Sequence, residues 1–373
     1  MVKNVFNELQ LEREYLLGLK NKNTDTNQAY IDDTLNMIEH NIDFINKHSK
    51  SFNLENINID NYSLLKNIDL LDFFDFLNNY YILYRDNINV SSDITFGIEI
   101  EYESLELEKI YEYFVNNNLF WDIVSDSSLN NGNEIVSPIL NDSIKSWNEL
   151  KIICNFLKKH NAKTISGRTG GHFHIGLPIF HNEYNYSKFI KCYMLYEDIL
   201  NRFFCGEYVN IRESAIKYAG LCKNYMMNED NSYFYIPRTK ALYTTCFSFD
   251  LFNEKNTLEF RRPNGTIEEI IWQNNINSII KMILNINKDS FDIEYIEYEI
   301  GRDIDRILNK CDSAYDYEIN IEKVLKFVDL FYDNNLDKIN FLKQYFKGYE
   351  LCLKRKELVK TSKFWKEKNI SLV

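Results

Sequence analysis

In residues 95–103, TFGIEIEYE, apolar side chains (Phe96, Ile98, Ile100, Tyr102) alternate with Thr95, Gly97 and the three acids Glu99, Glu101 and Glu103. A period of two is the pattern of a half-buried strand, so the three carboxylates share one face. Neighbours two apart on a strand lie about 6.5 Å from each other. At an effective dielectric of ~20, two charges at that spacing repel by roughly 2–3 kcal/mol. An edge strand in water would screen that repulsion, whereas a multivalent cation would neutralise it. The stretch alone leaves both readings open.

Four further stretches bear on the choice. In WDIVSDSSLNNGNEIVSPIL, Asp126 precedes a turn and Glu134 opens an alternating strand. The Asn131-Gly132 pair is a turn signal that would draw the two acids together. In SGRTGGHFHIGLP, His172 and His174 share a strand face, with Phe173 and Ile175 on the other. Gly167, Gly170 and Gly171 beside them imply a close backbone approach, with Arg168 on the loop. In NTLEFRRPNGT, Glu259 and Arg261 lie opposite Leu258 and Phe260, and Arg262 turns away from them. Arg238 precedes a fourth strand pattern, ALYTTCFSFD. Each stretch has an ordinary explanation by itself: a hairpin acid, a core histidine, a surface ion pair. Taken together, several strands would present acids, histidines or an arginine on their polar faces, forming a concave charged lining. Such a lining suits Mg²⁺ or Mn²⁺, which prefer oxygen ligands and usually arrive with phosphates.

The elements that must position these groups are legible as a mixed pattern. Strands are expected at 95–103, 133–140, 170–177, 241–250 and 256–262, with amphipathic helices at 143–162 and 187–204 between them. Their irregular order implies an α+β domain. Three regions result: a helical N-terminal region (1–90), a mixed domain carrying the chemistry (91–285) and a helical C-terminal region (286–373). The 373 residues include 45% apolar and 15% aromatic side chains, which describes a folded chain with a sizeable core. The net charge of −12 disfavours a nucleic-acid partner. Residues 341–373 run against that balance with nine Lys/Arg and three Glu, consistent with a basic helix docking on the acidic body. The seven cysteines form no C-x-x-C pair and mostly sit in apolar runs, so reduced thiols in a cytoplasmic protein are expected. The N-terminus has no apolar core of the secretory type, and the greasiest stretch, IEEIIWQNNINSIIKMILNIN, is too interrupted to span a membrane.

The motifs G-I-E-I-E (97–101), D-S-S followed by N-E-I-V-S-P (126–138), G-H-F-H (171–174) and L-E-F-R (258–261) occur in the order and rough spacing of one family. Residues 94–285 resemble the amidoligases, glutamine-synthetase-like carboxylate–amine ligases related to glutamate–cysteine ligase. Ser127 stands where that family usually has glycine, and the helical flanks match nothing in it. The resemblance implies a glutamine-synthetase-like curved antiparallel sheet with packed helices, and ATP and metal ions between its strands. It implies Glu99, Glu101, Glu134 and Glu259 as metal ligands, with His172 or His174 completing the set. Asp126 would be a further ligand or would face the amine. Arg261, with Arg168 and Arg238, would act on the transferring phosphoryl group, and His174 and Arg238 would also contact the nucleotide. The partners would be small-molecule or peptide carboxylates and amines, joined through an acyl phosphate into an amide or isopeptide bond.

Two rival readings use the same residues. A metal-dependent hydrolase could place zinc on His172 and His174, although His181 is the only histidine downstream and zinc sites want more nitrogen or sulfur. A ligase-like fold retained only for binding would have no reason to keep repelling acids on every strand. No G-x-x-x-x-G-K-[ST] sequence is present, so a P-loop nucleotide site is not expected.

Overall fold

Strands between residues 95 and 260, most of them alternating in hydrophobicity, build one antiparallel sheet. A computed structural model of the chain describes residues 2–21, 28–48, 73–74, 76–164, 167–221, 247–249, 257–309 and 319–347. The strands are β1 (Thr95–Glu103), β2 (Asp122–Ser125), β3 (Gly132–Val136), β4 (Leu140–Asn141), β5 (Gly171–Gly176), β6 (Phe247–Phe249) and β7 (Thr257–Phe260). They lie in the order β2-β3-β1-β5-β7-β6, with β4 paired to the start of β1. Every pairing is antiparallel. The fold is therefore α+β. Of the strand expected at 241–250, only 247–249 fall within the described residues.

The strand expected at 133–140 is divided in two, and the cause is local. Pro138 has no N–H to give a ladder. Ser137 compensates: its N–H bonds Ile98 O, and its hydroxyl accepts from Ile98 N at 2.9 Å and donates to Pro138 O.

Helices cover the apolar face of the sheet. After β1 come α3 (Leu107–Asn116), α4 (Ile144–Lys159), α5 (Glu183–Phe203), the short α6 (Ser214–Tyr218), α7 (Glu269–Ile286) and α8 (Ile293–Asn309). Phe96, Ile98, Ile100 and Tyr102 of β1 are all buried, and Phe96 stacks on Trp147 of α4 at 4.8 Å. Phe173 of β5 stacks on Phe260 of β7 at 4.7 Å, with Phe189 and Tyr193 of α5 against Phe260. Lys158, near the end of α4, reaches Glu268 and Glu269 at the start of α7 and ties the two helices together. Because the odd-numbered residues of β1 face away from this core, the acids all project from the opposite face of the sheet, where Glu101 and Glu103 are buried.

These elements belong to one compact unit, formed by the described residues between Arg85 and Glu318. A second unit joins the described residues up to Tyr84 to those from Ile319 on. It contains α1 (Val2–Asn21), α2 (Gln28–His48), α9 (Ile321–Phe331) and α10 (Asn335–Phe346). In it the Glu8 carboxylate of α1 accepts the Asn335 and Leu336 backbone N–H groups at the first turn of α10, at 3.2 and 2.8 Å. A carboxylate at that helix end satisfies unpaired donors and complements the dipole. No described helix is long and apolar enough to cross a membrane.

Candidate metal centre

Strand register decides which polar groups meet. Glu101 lies opposite Glu134 across β1 and β3, and Glu99 lies opposite His172 across β1 and β5. His174 lies opposite Gly97 on one side and Glu259 of β7 on the other. With side chains alternating between faces, all of these except glycine project to the same side.

His172 is the hub. Its Nδ1 is 3.3 Å from Glu99 Oε2 and 3.8 Å from Glu134 Oε1, and its Nε2 is 3.4 Å from Glu101 Oε1. Two trios result, Glu99–His172–Glu259 and Glu101–Glu134–His172, each with one potential ligand atom per residue and all three atoms within 4.8 Å of one another. His174 stands beside them, its Nε2 2.9 Å from Glu99 Oε1 and its Nδ1 3.0 Å from Thr257 Oγ1. Gly170 packs closely against the cluster. Its N–H donates to Glu101 Oε2, and a Cβ there would lie 2.6 Å from His172 Nε2.

The charge distribution follows from crowding. Burial alone would raise the Glu99 pKa, but its contacts with His172 and His174 outweigh burial and hold the carboxyl well below its ordinary range. Glu134 goes the other way: burial, followed by the neighbouring charge of Glu99, pushes it up to about 8. Burial opposes a proton on His172, yet Glu99, Glu101 and Glu259 more than offset it and raise the imidazole pKa. Unaided, the site thus relieves its repulsion by retaining protons. A divalent cation would do the same with the carboxylates ionised. Each trio supplies two carboxylates and one imidazole, a donor set that could hold a divalent cation.

The remaining expected residues are dispersed. Arg261 turns to the polar face as its strand alternation requires, with Nε 3.3 Å from Glu259 Oε1. Arg262 is fully buried on the other side and donates to Ala219 O. Arg168 pairs with Glu103 at 3.1 Å, and Glu103 also accepts from Asn130 N at 2.8 Å. The third acid of the strand therefore fastens two loops and belongs to neither trio. Asp126 closes its own turn by accepting from Ser128 N at 2.8 Å, and it too belongs to neither trio. Arg238 lies outside the described residues.

Sequence reasoning missed Arg212. Its guanidinium is buried and donates to the carbonyls of Arg261 (2.7 Å), Arg262 (2.9 Å) and Pro263, clamping the end of β7. Burial lowers its pKa to about 10, and Glu101 opposes the shift. Three main-chain acceptors leave no trace in residue types, so no spacing rule could have found it.

A cleft of about 440 Å³ adjoins the Glu99–His174 end of the cluster. Its lining includes Gly97, Gly176, Pro138, Ile139, Pro178 and Thr257. Apart from Glu99 and His174 the lining is uncharged. Comparison with protein-family models gives no match, and comparison with curated proteins gives none either.

Proposed function

We propose that the chain is an ATP-dependent carboxylate–amine ligase of glutamine-synthetase-like fold, forming an amide or isopeptide bond through an acyl phosphate. One observation carries the reading: four carboxylates from three strands converge on a single buried imidazole. Such a group is costly without cations, and phosphoryl transfer is the chemistry that most needs them. Divalent ions held by Glu99, Glu101, Glu134, Glu259 and His172 would neutralise phosphate charge. His174, hydrogen-bonded to both Glu99 and Thr257, would orient the nucleotide's phosphates. The cleft beside His174, about 440 Å³ and lined mostly by apolar and small residues, has the room for a nucleobase.

In this reading a substrate carboxylate oxygen attacks the γ-phosphorus, and ADP leaves with the electron pair of the broken P–O bond. Arg261, already on the polar face, presents a planar and permanently charged fork to the transferring group. The amine nitrogen then attacks the acyl carbon, expelling inorganic phosphate and losing one proton. Asp126, in the turn that follows β2, is the carboxylate that would accept that proton. Small-molecule or peptide acids and amines are the substrates. The buried thiols of Cys154, Cys192 and Cys205 suit a reducing, cytoplasmic setting. The division of labour between the two histidines speaks against the zinc hydrolase reading, since His172 and His174 share no trio.

The test is phosphate release from ATP and Mg²⁺ in the presence of pooled acids and amines. Amine-dependent release that disappears in Glu101→Gln supports the reading. Stoichiometric zinc retained through dialysis, or release indifferent to amines and acids, would replace it with hydrolysis.

A further inference from the structure

The groove between α3 and the sheet's edge strand β2 has no part in the chemistry above. It encloses about 860 Å³ and is lined by Leu107, Tyr111, Val115, Phe120 and Ile123 among others. Its apolar residues are unusually open to solvent: Phe120 is 77% exposed, Tyr111 66% and Val115 60%. Leu107, Tyr111 and Val115 recur every four residues, so they form one stripe along α3. Isolated exposed hydrophobics are common, but a contiguous patch of this kind marks an interaction surface.

Two properties say what covers it. Among the described residues, the charged side chains lining the groove are Glu108, Glu112 and Asp122, all acidic. A second copy of this chain would bring the same three acids against them, and its net charge of −12 adds to the repulsion. The complement is basic. Asp122 and Ile123 at the start of β2 also line the groove, and among the described residues β2 ends the sheet and pairs with β3 on one side only. An open strand edge beside an apolar groove is the arrangement that captures extended segments by strand addition.

We infer that this groove docks an extended segment of a protein partner, in which apolar side chains alternate with lysine or arginine. The segment adds a strand to β2, seats its apolar residues between Tyr111, Val115 and Phe120, and pairs its cations with Glu108, Glu112 and Asp122. The inference stands independently of the ligase reading, because none of these residues belongs to the metal trios.

The probe is a fluorescent ten-residue peptide alternating lysine with leucine and phenylalanine, compared with its glutamate counterpart. Anisotropy with the full chain should show saturable binding of the basic peptide and none of the acidic one. Phe120→Ser, and separately the Glu108→Lys/Glu112→Lys pair, should each weaken binding at least tenfold. An equal charge reversal elsewhere, Asp289→Lys/Glu294→Lys, should leave it within twofold. Hydrogen exchange should slow at residues 122–125 when the peptide is bound. Equal weakening by both charge reversals would reduce the effect to diffuse attraction and overturn the inference. So would unchanged binding in Phe120→Ser, or sedimentation showing a dimer that Phe120→Ser dissociates.

Discussion

At the residue scale, the carboxylates of the site differ because their surroundings differ. Glu134 has an ordinary pKa near 4.5 but is pushed up to about 8 in the folded chain. Between those values the native state holds a proton that the unfolded state has released, so this group lowers stability as pH rises. Glu134→Gln removes the effect. In metal-free protein its stability relative to the parent should grow from pH 4.5 to 8, on the order of a few kcal/mol, and level off above. Urea midpoints at pH 5 and pH 8 measure it, and a pH-independent difference would contradict the assignment. The adjacent arginines differ as sharply. Arg261→Lys keeps a charge on the polar face but loses the planar fork, and turnover should fall on the order of 10²-fold with folding intact. Sequence alternation alone would make Arg262→Lys nearly silent. Its guanidinium is fully buried and bonded to Ala219 O, so that variant should instead lose about 1–3 kcal/mol of stability. Phosphate release and urea unfolding, run on both variants, separate the two roles.

At the element scale, the strand that carries the acids was the most legible part of the chain. β1 occupies 95–103, the same residues that its alternation marks, because a buried face and a polar face leave the register no freedom. The same logic put His172, His174, Glu259 and Arg261 on one side correctly. It failed where pattern is weak. β2 has four residues, three of them exposed, and no alternation announces it as an edge strand. α5 begins at Glu183, earlier than its apolar spacing suggests, because the Asn182 side chain caps it by accepting from Asn185 N. Asn131 and Gly132 did signal their turn, and the reason is steric. Asn131 has φ +49°, and a Cβ on Gly132 would fall 2.1 Å from Tyr102 O. Gly132→Ala should therefore push β3 off β1 at the end nearest Glu134. The expected result is a loss of several kcal/mol together with weaker Mn²⁺ binding, read by thermal unfolding and paramagnetic titration. A neutral substitution would mean that the hairpin is not pinned there.

At the scale of the whole molecule, the candidate site lies within one compact unit, while α1, α2, α9 and α10 belong to another. Linear reading could see helices at both ends, but not that α1 packs with α10, since helical periodicity says nothing about partners distant in sequence. Glu8 is the residue that records the pairing. Glu8→Ala strips the first turn of α10 of its acceptor and should cost its unit about 1–2 kcal/mol, measured by calorimetric unfolding. The central claim concerns the other unit: its carboxylates exist to hold metal and, with it, ATP. Isothermal titration of ATP into the parent, Glu99→Gln and Glu101→Gln proteins, with and without Mg²⁺, tests that claim most directly. Saturable ATP binding that requires Mg²⁺ in the parent and disappears in both folded variants is the result predicted. ATP affinity that is the same in all three proteins, or unchanged when Mg²⁺ is removed, would contradict it.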